Sequence, residues 1–252
     1  ESINSIRTNA PKFYGTQGRA VTEADYEAIV RTVPGVTDVK VTGGEKINRY
    51  GEVLIVAYGE TPYEVDQDFI DLVKSYLPSM VTITPVVVAP DPIDVSMSLT
   101  VGILDNSFSD AAAAQNLTNA AITDLFEGDT RIGVSIYESD VLAAVDTISG
   151  VRYATTTHTL KSYGTANAGV VRFPITKNAN VSAITIKDHN GATIFSGNGT
   201  SLVGADGKVK YTQTGLPNQI CTMTFASNTD DMVADYQQVL VLHDLTINTV
   251  FV

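Results

Sequence analysis

Three histidines, one cysteine and two carboxylate pairs are the residues of this chain whose types could do chemistry. His158, His189 and His243 stand far apart with no ligand spacing between them, so a solvated or locally bonded ring is expected at each. Asp188-His189-Asn190-Gly191 opens like a calcium loop, but Asn198 and Gly199 stand where a closing glutamate is needed. An Asn-Gly pair between alternating runs is instead a hairpin signal. Glu23/Asp25 and Glu138/Asp140 are spaced i, i+2, which makes the two carboxylates of each pair diverge on a helix. They suit the positive end of a helix dipole better than acid-base work. Cys221, between Ile220 and Thr222 on an alternating run, reads as a small buried hydrophobe. No Gly-x-Ser-x-Gly elbow and no phosphate-cradling glycine motif occurs, and Gly43-Gly44 and Asp206-Gly207-Lys208 read as turns. The expectation is no catalytic, cofactor-binding or metal-binding residue, no cofactor, no small-molecule substrate and no enzymatic activity.

The elements behind these residues contain a duplication. Thr22–Val36 (TEADYEAIVRTVPGV) aligns without a gap on Tyr137–Val151 (YESDVLAAVDTISGV), with seven of fifteen positions identical at an offset of 115 residues. Tyr26, Ile29, Val30 and Val33 fall at i, i+3, i+4 and i+7, and Val141, Ala144, Val145 and Ile148 repeat that helical face. Thr22 is an N-cap, with Ser135 ahead of the second copy. Gly35 and Gly150 sit where a left-handed residue ends a helix, and a strand follows each. A polar loop then leads to Gly51–Ile55 in one copy and Gly169–Phe173 in the other. Both copies are expected to lie against a common sheet.

The remaining chain supplies a helix over Tyr63–Leu77 with a Val65, Phe69, Leu72, Tyr76 stripe, and a strand over Met80–Ala89 that Pro85 assigns to an edge. A long alternating strand, Ile93–Leu104, is followed by an alanine-rich helix, Asp110–Phe126, with Ala114, Leu117, Ala121 and Leu125 inward. Short strands are expected at Ile132–Ile136 and Val151–Thr159, then a polar loop from Lys161 to Ala168 and a returning strand to Ile175. Beyond Thr176 the pattern is pure β, with Asn190-Gly191 and Asp206-Gly207 hairpins and strands at Ile220–Ala226, Tyr236–Leu242 and Leu245–Val252. The fold class expected is α+β: duplicated helix-strand-strand modules on a mixed sheet, then a small all-β C-terminal domain. The corresponding division is an extended lead-in 1–20, modules 21–92 and 93–176, and a β-rich domain 177–252.

At 252 residues with 44% apolar and 17% charged residues, the chain can build genuine cores. A formal charge of -12 without a basic cluster argues against nucleic-acid and anionic membrane partners. No apolar run approaches the roughly 20 residues that span a bilayer. The single cysteine excludes an internal disulfide. Sequons at Asn116, Asn180 and Asn198 carry meaning only in a glycosylating host. Glu1 in first place points to a fragment or a processed product.

The ordered set Arg-Ala-Val-Thr-x-x-Asp-Tyr (19–26), Pro-Gly-Val (34–36), Gly-Glu-Val-Leu-Ile (51–55) and Val-Val-Ala-Pro-Asp-Pro (87–92) before a long alternating strand resembles the baseplate J family of contractile-tail bacteriophages. Within that family it is similar to the C-terminal part of the T-even-type baseplate wedge branch. The resemblance covers Arg19 to Phe173. It implies a structural virion protein of the tail baseplate, assembled in the host cytoplasm. Its partners would be itself, as a homodimer, and other wedge proteins in a ring around the tail hub. A carbohydrate-binding or adhesive tail protein is the alternative, against which stand the absent Trp and eleven scattered Tyr. A third reading is an enzyme whose catalytic half precedes Glu1.

Overall fold

The computed structural model describes residues 19–77, 83–104, 110–127, 131–229 and 231–251, with single positions 7, 11 and 14 ahead of them. Those three positions are helical where an extended lead-in was expected. The rest of 1–18, and 80–82 of the expected Met80–Ala89 strand, lie outside the described residues. The chain divides into two compact units, 1–90 and 91–252.

In the first unit, α1 (Glu23–Val30) precedes β1 (Asp38–Gly43), β2 (Glu52–Tyr58), α2 (Gln67–Tyr76) and β3 (Thr84–Val88). Thr22 and Asp25 form a capping box: Thr22 Oγ1 accepts from Asp25 N (3.2 Å) and Asp25 Oδ2 from Thr22 N (2.8 Å). The sheet order is β1-β2-β3, with β1/β2 antiparallel and β2/β3 parallel. Tyr26, Ile29, Val30 and Val33 form the core with Val39, Val41, Val53, Ile55, Val73 and Val87. Pro85 lies in an edge strand, where its missing N–H costs no ladder bond.

Helix α2 is rotated from the expected stripe. Val73 is fully buried with Phe69, Ile70 and Leu77 around it, while Leu72 is 41% and Tyr76 46% exposed. Two apolar faces overlap at Phe69, and periodicity does not choose between them; the neighbouring sheet does.

The second unit contains β4 (Asp91–Ile103), α3 (Ala111–Phe126), α4 (Glu138–Asp146), β5 (Val151–Thr165), β6 (Val170–Phe173), β7 (Ala179–Lys187), β8 (Thr193–Gly197), β9 (Val209–Thr212), β10 (Ile220–Ser227) and β11 (Gln238–Phe251). Six strands form one mixed sheet, β11-β4-β5-β10-β7-β8, in which only the β4/β11 pair is parallel; β6 and β9 make a separate ribbon. Strands β7, β8, β10 and β11, all after residue 176, therefore share a sheet with β4 and β5. The architecture is α+β with mixed sheets, as the pattern of elements predicts.

The duplication survives at the level of single hydrogen bonds. Asp140 Oδ2 accepts from Tyr137 N at 3.1 Å, as Asp25 does from Thr22. Thr32 Oγ1 donates to Ile29 O and Thr147 Oγ1 to Ala144 O, both at 2.7 Å. Val36 N donates to Val33 O and Val151 N to Ile148 O, both at 3.2 Å. Gly35 and Gly150 have φ of +86° and +97°, a region L side chains avoid.

The surroundings of the copies differ. They do not share a sheet: α1 packs on β1 and α4 on β5, in separate units. The returning strand β2 pairs with β1, whereas β6 pairs with β9. Tyr137, not Ser135, is the second N-cap; the Ser135 hydroxyl accepts from Ala234 N at 3.1 Å.

Four further elements depart from expectation. Ile132 and Ile136 make isolated bridges to Val239 and Met232 instead of a strand. Strand β5 continues through the expected polar loop to Thr165, because Lys161–Thr165 are held in register by β10. The two closing strands are one, β11, with a register shift between Leu242 and Asp244. Helix α3 buries Ala114, Thr118, Ile122 and Phe126 and leaves Leu117 53% exposed, one residue round from the expected face. Thr118 can turn inward because its hydroxyl bonds Ala114 O at 2.8 Å.

Candidate functional site

The large sheet has two unlike faces. Ile93, Val95, Met97, Leu99 and Val101 of β4 lie in the core with Leu160, Cys221, Met223, Phe225, Ile184 and Ile186. The alternate positions carry hydroxyls and join across strands: Ser96 opposite Thr159, Ser98 opposite Thr157, Thr100 opposite Thr155, and Thr246 beside Ser98. Threonines recur at Thr222, Thr224 and Thr185 on β10 and β7. Beta-branched hydroxyl residues fit a pleated sheet and leave its outer face wet.

One charged cluster interrupts this face. Asp94, 1% exposed, stands opposite Lys161 and takes a hydrogen bond from the Tyr163 hydroxyl. Lys161 Nζ is 3.5 Å from Asp94 Oδ2 and 4.9 Å from the Tyr163 ring centroid. The β11 bulge brings His243 Nδ1 within 3.9 Å of the same Asp94 oxygen, and His243 Nε2 within 3.9 Å of Asp244.

Burial, then the Asp94 acceptor and its charge, raise the Tyr163 hydroxyl above its ordinary range. For Lys161 burial pulls down, but Tyr163 and Asp94 together outweigh it and the ammonium is held above its usual range. Tyr163 and Lys161 thus both hold their protons more firmly than free side chains do. The cluster fixes β4, β5 and β11 to one another.

The residues singled out in the sequence do not converge. His189 sits in the β7–β8 turn, where Asp188 Oδ1 accepts from Asn190 N and Ala192 N at 2.9 Å each. That carboxylate closes a hairpin turn. The Asp206-Gly207 turn is tight, with Asp206 Oδ1 accepting from Lys208 N at 3.2 Å, but a 3-10 turn over Thr200–Leu202 replaces one flanking strand. Cys221 is buried; burial, then the Asp188 charge, push its thiol up and away from reactivity. Among the described residues no group of three or more His, Cys, Asp and Glu could hold a metal ion, and no helix is long and apolar enough to cross a membrane.

Glu23 does more than meet a helix dipole. Its Oε1 accepts from Gly43 N at 2.6 Å and both oxygens bind Lys46 Nζ, at 2.8 and 2.7 Å. Glu27 Oε1 likewise accepts from Val41 N (3.1 Å), and Asp38 Oδ1 from Val39 N (2.8 Å). Three alternate N–H groups of edge strand β1 are thus covered by carboxylates. Sequence reasoning missed Asp94, Lys161 and Tyr163. The available signal was the alternation of Thr155, Thr157, Thr159, Lys161 and Tyr163, which extends one strand face past the expected end.

No family model and no curated protein matches this sequence. Among solved structures, the chain is similar to a chain in the cryo-EM structure of the anti-feeding prophage (AFP) baseplate, 6-fold symmetrised, at 14% identity and a TM-score of 0.43. The similarity covers 63% of this chain and 38% of that one, so this chain spans well under half its length.

Proposed function

We propose that the chain is a structural component of a contractile phage tail baseplate, a wedge protein that associates with itself and with neighbouring wedge proteins and is not an enzyme. The observation that carries this reading is the ordered motif set between Arg19 and Pro92, whose residues fall at the joints of the first unit. Thr22 and Asp25 cap α1, Gly35 (φ +86°) turns α1 toward β1, Gly51 (φ +82°) opens β2, and Pro90-Asp91-Pro92 leads β3 into β4. Away from the Asp94 cluster, the hydroxyl-lined part of the sheet face suits an assembly part, because small uncharged side chains let a second surface approach without desolvating charge.

The test is location. Particles purified from the producing host should contain the chain by mass spectrometry, and antibody against it should decorate the tail end distal to the head in electron micrographs. Its absence from such particles, or decoration elsewhere on them, overturns the reading.

A further inference from the structure

Among the described residues, three of the four edges of the three- and six-stranded sheets carry guards against strand addition, and the fourth, β11, lacks them. Strand β1 has carboxylates from Glu23, Glu27 and Asp38 on its outward N–H groups. Strand β3 carries Pro85, and β8 is five residues long. These are the devices by which soluble proteins discourage strand addition. Strand β11 runs for fourteen residues at the edge of the six-stranded sheet. Helix α3 packs with this strand, and among the described residues the hydrogen bonds on its outer side include those of a bridge from Ile132 to Val239, beside a Gly133 N–H bond to Gln238 O, and Gln115 Nε2 on Ile247 O at 3.2 Å. A carbonyl has two lone pairs, so that bond leaves Ile247 O able to accept another.

The segment Leu245–Phe251, Leu-Thr-Ile-Asn-Thr-Val-Phe, holds no charge, no proline and no glycine in a chain of net charge -12. A like-charged copy can therefore approach here without charge repulsion along the strand. The segment is also self-complementary. An antiparallel pairing centred on Asn248 sets Leu245 against Phe251 and Ile247 against Thr249 on one face. It sets Thr246 against Val250 on the other, with Asn248 against Asn248 at the two-fold. Leu245/Phe251 is an apolar pair, and Ile247/Thr249 and Thr246/Val250 are pairs of β-branched side chains, which suit cross-strand neighbours on a pleated sheet.

We infer that a second copy of this chain adds to the sheet through antiparallel β11–β11 pairing about Asn248, making a continuous twelve-stranded sheet across an isologous dimer. The inference rests on the self-association in the reading above and names its surface. The Asn248 side chain is exposed, so it can be changed without touching the core.

Asn248→Cys should form an intermolecular disulfide in air, because symmetric positions face each other across the axis, while Thr157→Cys on the same sheet face should not. Asn248→Lys sets like charges opposite each other and should reduce the light-scattering mass from twice 26.8 kDa to 26.8 kDa with an unchanged circular dichroism spectrum. A wild-type chain that is monomeric at every concentration overturns the pairing and leaves location on the particle as the separate test of the baseplate reading. A dimer that persists in Asn248→Lys, with no Asn248→Cys cross-link, also overturns it and moves self-association to another surface. Equal cross-linking of both cysteine variants does the same.

Discussion

At the scale of single residues, backbone torsion and one buried carboxylate decide most. Gly150 at φ +97° leaves its helix in a conformation that a β-branched side chain resists. Gly150→Val should therefore destabilise by more than about 1 kcal/mol in urea titration. Gly35 shows that torsion and not space is the cause, since a Cβ there would meet nothing within 4 Å. Gly35→Val should show a similar loss, and wild-type stability in either variant would mean the helix exit reorganises freely. Tyr163→Phe removes a donor from a carboxylate that is 1% exposed, and should cost about 1–3 kcal/mol by the same titration. A neutral result would show that water or Lys161 replaces the hydroxyl in full.

At the scale of elements, what was legible in the sequence follows from how local the deciding force is. The Thr22 N-cap of α1, the helix-ending glycines, the long β4 alternation and the proline edge strand all depend on neighbours within a few residues, and they stand where the pattern puts them. The rotations of α2 and α3 and the extension of β5 were not legible, because each is settled by a partner distant in sequence. The α3 face turns on what lies beneath Thr118, and Lys161–Thr165 stay extended because β10 pairs with them. The Asp94 cluster was hidden for the same reason: its members lie on three strands between residues 94 and 243.

The α1–β1 tie predicts an acid response. Burial tends to raise the Glu23 carboxyl, but Lys46 and the Gly43 N–H outweigh it and hold it below the ordinary 4.5; the Thr22 N–H foremost holds Asp25 below 3.8. A carboxyl depressed in the folded state contributes stability that is fully present above its unfolded value and is lost as pH falls through its folded value. The stability of the first unit should therefore decline from about pH 4.5 downward. Glu23→Gln should be less stable at pH 7 and show a shallower decline, measured by urea midpoints from neutral pH to pH 3; an unchanged profile would remove Glu23 from that role.

For the whole molecule, the two hydrophobic cores share no residue: one runs from Ala20 to Val87 and the other from Ile93 to Leu240. Every strand of the six-stranded sheet, and both helices packed with its strands, come from residues 91–252. A fragment of residues 91–252 should consequently unfold cooperatively by itself, with the steep single transition of a domain that brings its own core. In the intact chain the glycine variants should then separate, Gly35→Val lowering one calorimetric transition and Gly150→Val another. The paired copies would thus report on different units despite their common hydrogen bonds. The net charge of -12 adds a sign to association between chains. An uncharged strand edge flanked by like-charged bodies should pair more tightly as salt shortens the screening length toward about 10 Å near 0.1 M, whereas an interface held by opposite charges should loosen. Sedimentation at low and moderate salt measures that sign, and weakening with salt would place charge pairs, not the β11 edge, at the contact.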